Sequence, residues 1–121
     1  MAVPTVYRSD DGSAPTINGT AGALEAALYA ILVTGYGSKS GAGWTRDYSG
    51  TSKGVYRQGA GLQYYLRIDD TDARLARVRG YQTIGDVDAG TNTNPFPSDG
   101  QISGGLYFRK STTADSTARP W

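Results

Sequence analysis

This chain contains no cysteine and no histidine. The first absence excludes disulfides, thiolate metal centres and a cysteine nucleophile. The second removes the usual general base and with it a Ser-His-Asp triad. A charge excess is also missing, since 12 basic residues face 11 acidic ones for a formal charge of +1. That balance argues against a duplex-DNA binder, which carries a basic excess. It also leaves no polybasic patch for a membrane surface. The longest apolar stretch, ALEAALYAILV, is broken by Glu25 and is too short to span a bilayer. The opening MAVPTVYRSDDGSAP has no basic region followed by an apolar core, so it does not read as a secretory signal. Synthesis in the cytosol fits a chain without disulfides.

Aliphatic side chains are scarce. Leu, Ile, Val and Phe make roughly a sixth of the chain, a level that ordinarily signals disorder. The small net charge opposes that reading, and 9 tyrosines with 2 tryptophans supply large side chains to bury. The 17 glycines add turns and a larger backbone entropy to overcome. In 121 residues this describes one lightly cored domain that completes its burial against a partner.

Period and punctuation predict the organisation. Residues 1–13 read as an extended N-terminal arm, kept out of a central strand by Pro4. Residues 20–35 read as a helix with Thr20 as N-cap. Its apolar face is Leu24, Ala27, Leu28, Ile31 and Leu32, and Gly35 or Gly37 ends it. Glu25 near its start suits the macrodipole. From Trp44 the period changes to two. WTRDYSG, KGVYRQG, LQYYLRIDD, ARLARVRGYQTI and GGLYFRKST each read as strands within 44–110, and residues 111–121 as a polar tail. Alternation puts Tyr64, Leu66 and Ile68 opposite Tyr65, Arg67 and Asp69, and sets Ala76, Val78 and Gly80 inward with Arg77, Arg79 and Tyr81 outward. Gly80 marks a bulge or a close backbone approach. Residues 88–101 read as a long loop. The fold class is mainly β, α+β in layout: an antiparallel sheet or sandwich with one amphipathic N-terminal helix.

Two acidic stretches invite a metal reading. Counting DVDAGTNTN from Asp86 as an EF-hand loop puts Asp88 at a ligand position, but Gly90 stands where the next ligand belongs. Pro97 then stands where the bidentate glutamate belongs. Turn chemistry explains the Asx residues without a cation. The DDTD stretch, residues 69–72, could hold a hard cation or share a proton; as a charged hairpin tip it is balanced by Arg67, Arg74 and Arg77. A metal-assisted hydrolase would draw on Asp69, Asp70, Asp72, Asp86 or Asp88. No phosphate loop is present, because Lys39-Ser40 lacks the strand-glycine-helix setting. We expect no cofactor and no catalytic or metal residue.

Arginine interleaved with tyrosine is a composition favoured at protein interfaces. The candidate contact residues are Tyr7, Trp44, Tyr65, Arg67, Arg79, Tyr81, Tyr107 and Trp121. The same rings could stack on single-stranded nucleic acid or on sugars, or simply pair across strands on a solvated face. Charge balance and the thin core favour protein partners.

The phrases MAVPTVYRSDDGSAP, TGYGSKSGAGWTRDYSGTSKGVYRQG, YYLRIDD, RGYQTIGDVD and GGLYFRKSTTADSTARPW together resemble a family of tailed-bacteriophage virion structural proteins. The resemblance covers nearly the whole chain. It implies a non-enzymatic structural component of the virion, made in the bacterial host cytoplasm, either decorating the capsid or associated with the tail. Its partners would be other phage structural proteins and copies of itself, with no nucleic acid and no membrane. The alternative is a carbohydrate- or receptor-binding β module of a phage tail.

Overall fold

The computed structural model describes residues 3–88 and 93–110. All five predicted strand regions form strands: β1 (Thr45–Gly50), β2 (Lys53–Arg57), β3 (Tyr65–Asp69), β4 (Leu75–Tyr81) and, after a two-residue β5 (Pro95–Phe96), β6 (Leu106–Arg109). Each of the first four pairs antiparallel with the next, as short turns between successive strands dictate. The free flank of β4 is then divided. Its last two residues pair with β5 and its first four with β6. The result is a single six-stranded antiparallel sheet, not a sandwich. β5 lies in what the sequence presents as loop. A two-residue strand carries too little pattern to be read.

The helix is shorter than 20–35. Helix α1 runs over Ala23–Tyr29 and passes into a π-helical turn, Ala30–Thr34. The Gly35 amide closes that turn on the Ala30 carbonyl at 2.6 Å. Gly35 takes φ 77°, and a Cβ there would meet the Lys39 carbonyl oxygen at 2.1 Å, so glycine is required. Thr20 is not the cap. Its hydroxyl bonds Asn18, and the N-cap is Gly22 at φ 84°. The orphan helix amides go to Asp70, just past β3.

The two sheet faces are covered unequally, and here the outward and inward assignment is corrected. Residue 47 is the extra residue of a bulge, so Tyr48 aligns with Val55. On that face Val55, Tyr81 and Ile84 form a buried cluster, with Tyr48, Tyr65 and Val87 packed on it. Tyr81, expected outside, is 3% exposed, and Arg79 is also buried. The reason is the stretch after β4. Ile84 and Val87 have no strand or helix period, yet they fold back over the arginine-tyrosine face. The opposite face holds Gly54, Tyr56, Leu66, Ile68, Ala76, Val78 and Gly80. Helix α1 meets only part of it, where Glu25 reaches Tyr56 and Asp70 caps the helix. Gly80 is a close approach, as its sequence context suggests. A Cβ there would lie 2.0 Å from the Phe96 ring.

The N-terminal arm is pinned from residue 6 onward. The Tyr7 hydroxyl donates to the Ser40 carbonyl at 2.6 Å, and the Lys39 ammonium to the Val6 carbonyl.

Candidate protein interface

The strongest surface feature lies on the sheet face that the helix leaves open. Beyond α1, Leu66, Val78 and Gly80 form the floor of a groove of about 520 Å³. Trp44, Leu62, Tyr64, Phe96 and Leu106 rise around it. Alternation explains the floor, because Leu66 opposes Gly80 across β3 and β4 and both point the same way. The Phe96 ring then lies over Gly80, where no side chain competes, and meets Tyr64 with centroids 5.7 Å apart and planes at 59°. Leu62 is 77% exposed, and Leu106 and Phe108 are each 48% exposed. Exposed apolar surface of this kind makes the groove the candidate site of association on this domain.

The eight sequence candidates divide. Trp44 lines the groove, and Tyr65 and Arg79 contribute to its lining from neighbouring strands. Tyr107 is exposed on β6, where the Arg77 guanidinium sits 4.8 Å from its ring and donates to its hydroxyl. Tyr7 is half-buried against Tyr36, with ring centroids 5.9 Å apart. Tyr65 is half-buried on the Val55 cluster. Arg67 donates from Nε to the Val87 carbonyl at 2.6 Å and pairs with Asp69 and Asp88. Arg79 spends its guanidinium on the Pro97 carbonyl and the Asp99 carboxylate, which it holds below the usual carboxylate range. Arg67, Arg79 and Tyr81 are thus engaged within the fold rather than presented to a partner. Trp121 and the 111–121 tail lie outside the described residues.

Sequence reasoning missed Leu62, Tyr64, Phe96, Leu106 and Phe108. One signal was present. LYFR sets Leu106, Tyr107 and Phe108 in succession, so large side chains point to both faces of the strand. Leu62 sits alone in a glycine-rich turn, and no period could have marked it.

The acidic stretches serve turns and ion pairs. Asp72 accepts the Arg74 and Leu75 amides, which lower its pKa, and Asp69 accepts the Thr71 amide and hydroxyl. Burial works against the Asp69 anion, but the Thr71 bonds and Arg67 outweigh it and its pKa falls. Asp86 accepts the Val87 amide. Asp88 lies between Lys53 and Arg67, whose donors lower its pKa, and a third cation would be repelled there. Among the described residues no three carboxylates converge to hold a metal.

Two buried polar clusters complete the electrostatics. Glu25 is turned inward, where it accepts from the Tyr56 hydroxyl and from Arg46 at 3.0 Å. Burial and the adjoining carboxylate push the Tyr56 phenol well up. Arg46 also stacks 3.7 Å above the Tyr29 ring. In the second cluster, Lys110 pairs with fully buried Asp70. Both clusters sit under the helix, away from the groove's apolar lining, and serve to hold α1 on the sheet.

Among the described residues no helix is long and apolar enough to cross a membrane. Comparison with protein-family models, with curated proteins and with solved structures gives no match to this chain.

Proposed function

We propose that this protein is a non-enzymatic structural component of a bacteriophage virion, acting through protein–protein contacts in a repeated assembly. The observation that carries the reading is the groove beside α1, whose lining is almost wholly apolar and whose rim residues stand half out in water. Burying such a surface against a partner gains about 25 cal/mol per Å² of apolar area, and no described residue of this chain covers it. The likeness to phage structural proteins gives the setting. Many copies side by side would turn a modest contact into firm attachment. The carbohydrate-binding alternative draws less support. Its tyrosines include buried Tyr81, and Tyr64 and Phe96 meet at 59° rather than offering one flat platform for a sugar ring.

The test is mass spectrometry of purified virions, together with co-sedimentation of the isolated protein with particles that lack it. The protein should be present in virions and should sediment with particles. Leu62→Asp with Tyr64→Asp, both at exposed positions, should abolish sedimentation and leave the circular dichroism unchanged. Absence from particles, with no binding to them, overturns the proposal.

A further inference from the structure

The two edges of the sheet are built differently. The β1 edge carries a bulge at residue 47 and the charges of Arg46 and Asp47, devices that discourage another strand from pairing. The β6 edge has no bulge, and its one charge, Arg109, stands at the strand's end. Leu106, Tyr107 and Phe108 stand about half exposed in succession, at 48%, 55% and 48%. On its inner side β6 pairs with β4, and the Lys110 amide continues that ladder to the Arg74 carbonyl at 2.8 Å. In an antiparallel ladder the backbone groups alternate in direction. Residues 106, 108 and 110 therefore bond inward, and Tyr107 and Arg109 present their N–H and C=O groups outward. No described strand pairs with that side.

We propose that β6 pairs antiparallel with β6 of a second copy about a two-fold axis through Tyr107, joining two sheets into one; this rests on the reading of the protein as an assembly component. The strand is complementary to itself in that register. Tyr107 meets Tyr107 of the second copy, and their outward amides and carbonyls exchange two hydrogen bonds. Leu106 meets Phe108 of the second copy, apolar on apolar and on the groove side of the sheet. Arg109 meets Gly105, so no like charges oppose. A slip of one residue would place each side chain against the wrong face. Centring on Phe108 instead would set Leu106 against Lys110, whose ammonium is already committed to Asp70. The Tyr107-centred pairing also runs the two apolar grooves together across the axis.

The chain has no cysteine, so a single introduced thiol gives a clean reading. Directly opposed residues of a hydrogen-bonded antiparallel pair have Cα atoms about 5.5 Å apart, within disulfide reach. Tyr107→Cys should therefore form a disulfide dimer rapidly on mild oxidation. Arg109→Cys, on the same face but four residues out of register with its mate, would lie roughly 14 Å from it at ~3.4 Å per residue and should not. Light scattering should find the full chain dimeric. Tyr107→Pro, which removes an outward N–H and no bond to β4, should give a monomer with unchanged circular dichroism. A monomer at all concentrations overturns the inference, as does a dimer that cross-links through Arg109→Cys and not Tyr107→Cys. A monomer that still joins particles overturns this pairing alone. A Tyr107-linked dimer absent from particles overturns the virion role alone.

Discussion

Asp70 caps a helix that begins far earlier in the chain, and Lys110 holds the same carboxylate from the opposite side. The Leu24 and Glu25 amides donate to Oδ2 at 2.8 and 3.1 Å, while the Lys110 ammonium bonds Oδ1 and the Thr20 carbonyl. Removing one partner of a buried pair strands the other, at a cost of about 3–5 kcal/mol. Asp70→Ala and Lys110→Ala should each lower the unfolding free energy read from urea melts by that order. The double variant should cost clearly less than the sum, because neither charge is then left alone. Additive losses in denaturant melts would contradict the coupling.

Gly80 and Phe96 form a second coupled pair. A methyl group at Gly80 would collide with the ring, so Gly80→Ala should destabilise by about 1–3 kcal/mol. In a Phe96→Ala background the same change should cost little, since the space is vacated. Equal penalties in both backgrounds, read by chemical denaturation, would show that the ring does not occupy that space.

Asp11 ties the arm to the Tyr36–Lys39 turn, and the Lys39 and Tyr36 hydrogen bonds hold its carboxyl down at about 2 from an ordinary 3.8. A lowered carboxylate pKa means that its contribution is present above the ordinary value and is lost as pH falls through the folded one. The arm should therefore detach between pH ~4 and ~2. Limited digestion with pepsin should then cut the arm well before the sheet. Asp11→Asn should loosen the arm at neutral pH as well, visible as new trypsin cleavage at Arg8.

Tyr36 and Tyr56 both have raised pKa values, from burial first and then from the neighbouring Asp11 and Glu25 carboxylates. The fold favours their neutral form, so the stability they add is present below the ordinary value of 10.0 and is lost as pH rises through the folded values. Alkaline titration at the tyrosinate absorbance band should show Tyr36 and Tyr56 ionising late, together with unfolding. Tyr56→Phe should remove one late ionisation and cost about 1–3 kcal/mol, because Glu25 keeps its burial and loses a donor.

Much of the fold was legible because the period-two signal of LQYYLRIDD and ARLARVRGYQTI is local. Each side chain's alternation is set by its own backbone. Which face would be covered was not legible. That depended on Ile84 and Val87, two residues in a turn-rich segment, folding over Tyr81 and Val55. The helix cap was hidden for a related reason. Thr20 is the residue that local rules choose, yet Asp70 reaches the amides from a distant strand end. The candidate interface was half legible. Trp44, Tyr65 and Arg79 were chosen for their chemistry, whereas Leu62 and Phe96 owe their place to tertiary neighbours that no window of sequence contains.

The contact between Lys110 and the Thr20 carbonyl spans 90 positions. During synthesis the first turn of α1 emerges from the ribosome long before its counter-ion exists. The helix amides can take their Asp70 cap once β3 is made, but that buried carboxylate lacks its counter-ion until Lys110 follows β6. Assembly of the sheet and locking of the helix thus converge on one late event. A stalled chain ending before residue 110 should hold the first turn of α1 less firmly than the released chain, and should be cut more readily around residues 20–25.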